Sequence, residues 1–346
     1  MTPLALLLLP ISWMYGFVVW IRNCCYDFRI FRVHRVGVPV ISVGNLTTGG
    51  TGKTPLVEYL VKYFIDRNKK VAVISRGYKR TTKGMMIVSN GCGAQVNVEM
   101  SGDEAYQVAE KYPQSIVIVD EDRARASVHA IEKFKVDLII LDDGFQHRSL
   151  HRDIDIAMID GEQSFWKMNM LPAGMRREPL RGLNRATVIV FSGNPVDENF
   201  IDEVKQTFNK TYMKAIFCPT SAHKFIGESL IPLSYLNGKK CIAFCGIGNS
   251  NSFLTTLREL NLQILDFVAY PDHHRFSIEE LRNIKVRFDG KKADLIITTE
   301  KDSVRILDSG QYKGFPFDVF FYVQIETKII EGEDKFHQII ESMIQS

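Results

Sequence analysis

The sequence predicts an α/β protein built on a phosphate loop. Short apolar runs alternate with amphipathic stretches from Val38 onward, and a glycine-rich Gly-Lys-Thr segment follows the first run. At 346 residues the chain is about twice the length of an ordinary domain, which favours two domains over one. Hydrophobic residues at 45% and charged residues at 24% support a substantial core and exclude global disorder. A formal charge of +3 excludes wholesale nucleic-acid binding, so no nucleic acid is expected as a partner and any anionic ligand must meet local Lys and Arg clusters. The six cysteines form no CxxC pair and fit no zinc spacing, so free thiols in a reducing compartment are expected.

The first 21 residues carry no charged side chain, close to the ~20 needed to cross a bilayer as a helix. Positive charge follows this run (Arg22, Arg29, Arg32, Arg35) instead of preceding it, which argues against a cleaved signal. Pro10 interrupts the run, and Trp13, Tyr15 and Trp20 favour the headgroup boundary, so a helix lying in one leaflet competes with a full span. The alternative is a core helix of the following domain. The arginines place the rest of the chain in the cytoplasm.

The next elements follow in order. Strands are expected at 38–44, 70–75, 115–120, 136–143, 153–160 and 186–193; several lack period-two alternation, as in parallel strands covered on both faces. A second set comes later, at 239–248, 262–270, 293–300 and 317–325, interleaved with helical stretches, and predicts a second, smaller α/β unit. Pro219, Gly227, Pro232 and Gly238 mark a boundary within 212–238, where the alternation lapses. The expected division is a membrane-associated helix with its basic flank at 1–35, a phosphate-loop domain at 36–220 and a smaller α/β domain at 221–346. The last helix, 329–345, is expected to pack back on the first domain.

The segment GNLTTGGTGKTP (44–55) lies between a strand and a helical pattern. Glycines there let backbone N–H groups close around phosphates at a helix N-terminus. Lys53 would reach the β and γ phosphates and Thr54 would hold Mg²⁺. The pattern GxxxxGK[ST] requires glycine where this chain has Thr47, and the variant KGGxGK[ST] requires lysine where it has Thr48. The strand VDLIIL ends in Asp142 and Asp143, and a carboxylate there beside such a loop can enter a Mg²⁺ shell. Asp103 and Glu104 would start a helix; capping accounts for one acid, so spacing leaves capping and catalysis both open. PDHHRF (271–276) sets two histidines after a strand, suited to proton transfer but not to zinc. The stretch 171–185 gathers Arg176, Arg177, Arg181 and Arg185, as either a phosphate-binding or a solvated loop.

These motifs occur in a diagnostic order: GNLTTGGTGKTP, SRGY (75–78), SGDE (101–104), LDDGFQHR (141–148), LPAG with a following Arg-Glu, GIGN (246–249), DHH (272–274) and TTEKD (298–302). Over essentially the whole chain they resemble the tetraacyldisaccharide 4′-kinase family, with DDGFQHR the most specific. The resemblance implies transfer of phosphate from ATP to the 4′-hydroxyl of a tetraacylated glucosamine disaccharide 1-phosphate, at the cytoplasmic face of the bacterial inner membrane. It implies ATP on Thr47, Thr48, Gly49, Gly50, Thr51, Gly52, Lys53 and Thr54, and ATP and Mg²⁺ as cofactors. Asp103 would pair with His273 to take the hydroxyl proton. Glu104, Asp142, Asp143 and Gln146 would complete the metal and nucleotide environment, with Asp143 ahead of Asp142 as the metal carboxylate. Arg177 would stabilise the transferring phosphoryl group or bind substrate. The expected partners are the acylated disaccharide and the membrane surface, with no obligate protein partner inferred.

Two other classes compete. A regulatory P-loop ATPase on a membrane would hydrolyse nucleotide without labelling a lipid; the missing leading lysine argues against it, and TEKD (299–302) does not satisfy the guanine motif NKxD. A binding protein with a vestigial loop is opposed by the intact Lys53, Thr54 and both acidic pairs.

Overall fold

A computed structural model describes residues 3–161, 168–193, 197–227, 230–308, 312 and 314–345; the first two residues of the apolar run lie outside these. The chain opens with a 25-residue helix, α1 (Pro3–Asp27), and then enters a mixed sheet. Strand β1 (Val40–Asn45) leads through the phosphate loop into α2 (Lys53–Ile65), and β2 (Val71–Ser75) and β3 (Met86–Asn90) follow. Helices α3 (Val98–Ser101) and α4 (Asp103–Lys111) precede β4 (Ile116–Val119), α5 (Arg123–Phe134), β5 (Leu138–Asp142) and β6 (Ile154–Asp160). Next come β7 (Val188–Ser192), α6 (Glu198–Thr207), β8 (Thr211–Lys224) and the short β9 (Leu230–Ile231). The final stretch holds β10 (Lys240–Cys245), α7 (Ser250–Glu259), β11 (Gln263–Ala269), α8 (Ile278–Lys291), β12 (Leu295–Thr299), α9 (Glu300–Leu307), β13 (Phe320–Glu331) and α10 (Glu333–Gln345).

The strands join in the order β11-β10-β12-β13-β8-β7-β6-β1-β5-β2-β4-β3, with β9 on β8. Two parallel blocks meet where β8 and β13 pair antiparallel. The first five residues of β8 (Thr211–Ala215) extend the phosphate-loop block by pairing with β7, and Lys214–Lys224 pair with β13 on the other edge. The stretch 212–238, in which alternation lapses, thus carries a 14-residue strand with mixed burial. Its partly polar, proline-containing sequence hides the strand signal. β1, β2, β4 and β5 are buried along their whole length, as expected of strands covered on both faces.

Leu56, Val57, Leu60, Val61 and Phe64 recur at helical spacing on α2 and seal one face of the sheet. Phe336 and Ile340 of α10 enter that same cluster, while Tyr59 and Tyr63 of α2 donate hydrogen bonds to Glu333 (3.0 Å) and Glu341 (2.9 Å). The last helix therefore lies on the helix that follows the phosphate loop.

Helix α1 is not a core helix. It is long and apolar enough to cross a membrane, and Leu7, Trp13, Met14 and Phe17 are exposed. A narrow face holds it to the body. Ser12 donates to the Met170 carbonyl (2.9 Å), Tyr15 donates to the Arg177 carbonyl (3.0 Å), and Asn23 donates to Glu178 (3.2 Å).

Candidate active site

β1, β5 and β2 end side by side, and the crevice beyond the carboxyl ends of parallel strands is where such sheets bind ligands. The loop leaving β1 is shaped by its own side chains. Asn45 donates to the Thr51 hydroxyl (3.0 Å), and Ser192 of β7 donates to the Thr51 carbonyl (2.9 Å). Gly52 caps α2 with φ 76°, a left-handed conformation, and a Cβ there would fall 1.8 Å from the Phe217 ring. Glycine is therefore required twice over, and the free N–H groups at the start of α2 are suited to receive an anion.

The arginine loop is tied to this phosphate loop like a short strand. Thr48 N–H donates to the Met175 carbonyl (2.8 Å), and Arg177 N–H donates to the Leu46 carbonyl (2.7 Å). Arg177 is thereby aimed at Asp143, with Nη1 at 2.7 and 3.0 Å from its two oxygens. Lys53 Nζ lies 3.7 Å from the same carboxylate. Burial opposes ionisation of Asp143, yet Lys53 and Arg177 hold its carboxyl below the usual range. Asp142 differs. Burial, reinforced by the charges of Glu104 and Asp143, pushes it up to about 7.

The β10–β11–β12 end of the sheet supplies the opposite wall. Gly248 sits where a Cβ would come 3.3 Å from the Gly50 nitrogen and 3.2 Å from Asp272, so the GIGN turn meets the phosphate loop closely and a larger residue would press on both. A cavity of about 250 Å³ lies between them, lined by Thr47–Thr51, Met158, Met168, Met175 and Asn249–Asn251.

Asp103 opens α4 and meets His273, 170 residues away: His273 Nδ1 to Asp103 Oδ2 is 2.7 Å. The His273 N–H donates to the Gly246 carbonyl (3.0 Å), which fixes its backbone in a left-handed conformation with φ 59°. Arg305 Nε donates to the same Asp103 oxygen (2.7 Å). Burial works against the Asp103 charge, but the hydrogen bond from His273 and the charges of Arg305 and Lys301 take its carboxyl down to about 2. Glu104 accepts from Lys301 (2.5 Å) and lies 3.8 Å from His273 Nε2. Burial opposes its charge too, and Lys301 and His273 keep it low.

The sequence-derived residues fall into two groups. Asp143, Lys53 and Arg177 gather at the phosphate loop Thr47–Thr54 with Asp142 beside them, and Asp103, Glu104 and His273 form a second cluster. Gln146 is engaged elsewhere. Its amide donates to the Asn45 carbonyl (2.7 Å) and to Glu178 (2.9 Å), a fully buried carboxylate also held by Arg185 (2.6 Å). Lys301 stands in the TTEKD motif without an assigned role, and Arg305 lies outside every motif. Locally both belong to a capped helix start, in which Thr299 accepts from Asp302 N–H, and nothing local shows where the side chains lead.

The sheet order, the loop between β1 and α2 and the carboxylates at the end of β5 define a P-loop enzyme of the phosphotransferase class. The family model LpxK, tetraacyldisaccharide-1-P 4′-kinase, matches residues 4–345. The tetraacyldisaccharide 4′-kinase of Chlorobium phaeovibrioides is 35% identical, covering 99% of this chain and 98% of that protein. The Aquifex aeolicus enzyme of the same name is 34% identical over 96% of this chain and 97% of its own length. A crystal structure of LpxK from Aquifex aeolicus in complex with ATP superposes with a TM-score of 0.79 at 32% identity, covering 99% of both chains. The chain belongs to the tetraacyldisaccharide-1-P 4′-kinase family. It is a kinase of lipid A biosynthesis, a phosphotransferase with an alcohol acceptor.

Proposed function

We propose that this chain binds ATP on the loop Thr47–Thr54 and transfers its γ-phosphoryl group to the 4′-hydroxyl of a tetraacylated glucosamine disaccharide 1-phosphate. The observation that carries the site assignment is the 2.7 Å contact between Asp103 and His273, formed between distant parts of the chain beside the phosphate loop. The hydroxyl oxygen attacks the γ-phosphorus, the bond to the β–γ bridging oxygen breaks, and the hydroxyl proton passes to the Asp103–His273 pair. Phosphoryl transfer needs positioning and charge neutralisation more than covalent help. Lys53 supplies charge at the β and γ phosphates. Arg177, reaching across Asp143, supplies it at the transferring group.

The donor set suits Mg²⁺. Asp142 is buried, pushed up to about 7 and without a cationic partner comparable to those of Asp143, so a hard cation would relieve it. Thr54 and Asp142, with Glu104 nearby, would hold the ion ahead of Asp143, whose charge Lys53 and Arg177 already neutralise. The bound ion would offset charge on the phosphate oxygens. Gln146, in this reading, braces the loop through the Asn45 carbonyl rather than contacting nucleotide.

Division into a phosphate-loop domain at 36–220 and a smaller domain at 221–346 fits catalysis that completes only when both walls meet, limiting ATP hydrolysis in the absence of lipid. Helix α1, with its body-facing edge on the Met170–Glu178 loop and its apolar side exposed, supports docking on the cytoplasmic face of the inner membrane, where an acylated substrate resides. The test is transfer of labelled γ-phosphate to the acylated disaccharide in mixed micelles. Wild type should label the lipid and Lys53→Ala should not; ATP hydrolysis by wild type without lipid labelling would refute the assignment.

A further inference from the structure

We propose that Arg305 is a positioning residue for phosphoryl transfer: anchored within the second α/β unit, it grips one oxygen of Asp103 and so fixes the carboxylate against His273. The inference rests on the reading of Asp103 and His273 as the proton-accepting pair. Its basis is a buried fork whose Nε and Nη1 are both occupied. Arg305 Nη1 donates to the Gly246 carbonyl (2.8 Å) and to Asp302 Oδ1 (2.8 Å), while Nε donates to Asp103 Oδ2 (2.7 Å). The Arg305 side chain is 4% exposed and Asp302 is fully buried.

The anchor is itself rigid. Asp302 Oδ2 accepts from Gly246 N–H (3.0 Å) and from the Thr299 hydroxyl (2.7 Å), locking the first turn of α9 to the end of β10. The Gly246 carbonyl accepts from both Arg305 and the His273 N–H, so the two donors that meet Asp103 share one backbone support. Asp103 enters from α4, on the phosphate-loop side of the sheet. A guanidinium is permanently charged and presents donors in a fixed plane, which a lysine ammonium does not.

Two consequences follow for the pair. Arg305 and His273 both claim Oδ2, which leaves Oδ1 to face the sugar hydroxyl. The Asp103 acceptor at 2.7 Å places the His273 proton on Nδ1, directing Nε2 toward Glu104 (3.8 Å) and Asp272 (3.7 Å). Loss of the fork leaves the carboxylate able to swing, and misplacement of a reacting group by about 1 Å costs on the order of 10²-fold in rate.

The experiment measures single-turnover transfer from ATP to the acylated disaccharide by the full chain in mixed micelles, with steady-state KM values alongside. The variants are Arg305→Gln, Arg305→Lys, Asp103→Ala and the double variant Asp103→Ala/Arg305→Gln. Arg305→Gln should lower kcat by about 10²-fold with both KM values within about threefold. The double variant should be no slower than Asp103→Ala alone, because Arg305 acts only through Asp103. Arg305→Lys should recover part of the loss. Should Arg305→Gln not fold, Arg305→Lys carries the test, with kcat at least tenfold below wild type at unchanged KM. A wild-type rate in the single Arg305 variant that folds would overturn the proposal, as would a double variant slowed by the product of the two single effects. Retention of the wild-type rate by Asp103→Ala would instead overturn the reading of the pair, and the role of Arg305 with it.

Discussion

Replacing Lys111 with methionine should destabilise the fold in a pH-dependent way, because Lys111 is, among the described residues, the cation that pairs with a buried carboxylate cluster. Its Nζ donates to Glu58 (2.7 Å) and Glu300 (3.1 Å), joining the C-terminal end of α4 to α2 and to the start of α9. Gln107 completes the Glu58 side (2.7 Å) and Gln324 the Glu300 side (2.9 Å). Burial pushes the Glu58 carboxyl up to about 7 even with Lys111 beside it, while burial of Lys111 is outweighed by the two carboxylates, which keep its ammonium charged. We read the cluster as one ammonium shared by two acids, with Glu58 taking up a proton near neutrality. Removing the cation strands buried charge, at a cost of about 3–5 kcal/mol. An unfolding entropy near 2.1 cal/mol/K per residue gives about 0.7 kcal/mol/K for this chain, so Tm should fall by ~4–7 °C.

The sign of the pH dependence is fixed. The folded pKa of Glu58 lies above its unfolded value of 4.5, so its contribution to stability is fully present below that value and is lost as pH rises through about 7. Without Lys111 the carboxyl moves higher still, and protonation at pH 6 softens the loss. Thermal unfolding of Lys111→Met in detergent should therefore show a larger deficit at pH 8.5 than at pH 6, and Glu58→Gln in that background should recover most of it. A deficit below ~1 °C at pH 8.5, or a larger one at pH 6, would refute the reasoning.

Gly52→Ala should weaken ATP binding at least tenfold by calorimetry and lower Tm, since the new Cβ meets the Phe217 ring at a left-handed φ; unchanged affinity would mean the loop binds in another shape. Asp142→Asn should raise the Mg²⁺ concentration for half-maximal transfer at least tenfold, whereas an unchanged Mg²⁺ curve would remove Asp142 from the metal site. Serine at Leu7, Trp13 and Phe17 together should shift the protein from the membrane fraction to the soluble one without altering ATP affinity, because these side chains face away from the body. Unchanged fractionation would count against α1 as the docking element.

What the sequence made legible was local. Strands such as Leu138–Asp142, a continuous apolar run ending in an aspartate, carry their burial in their composition. The phosphate loop is legible because backbone geometry demands glycine at Gly52 whatever surrounds it. β8 was not, because its burial changes along 14 residues as it passes from β7 to β13, so no single period describes it. The pairing of Asp103 with His273 is invisible to spacing, since 170 residues separate them, and only the family resemblance brought them together. Arg305 had neither aid: an arginine three residues after an aspartate in a short helix is an ordinary surface pattern until the tertiary fold buries it. Gln146 shows the opposite case, a side chain in a specific motif whose amide the fold commits to Asn45 and Glu178.

The central claim is that a proton-accepting pair contributed from both sides of the phosphate loop drives transfer to the lipid hydroxyl. The most direct measurement is the rate of phosphate appearance on the acylated disaccharide, with ATP hydrolysis followed in the same samples, for wild type and His273→Ala. We predict tight coupling of ATP consumption to lipid labelling in wild type, and a fall in labelling of at least 10²-fold in His273→Ala with ATP affinity unchanged. Labelling by His273→Ala at the wild-type rate would contradict the account.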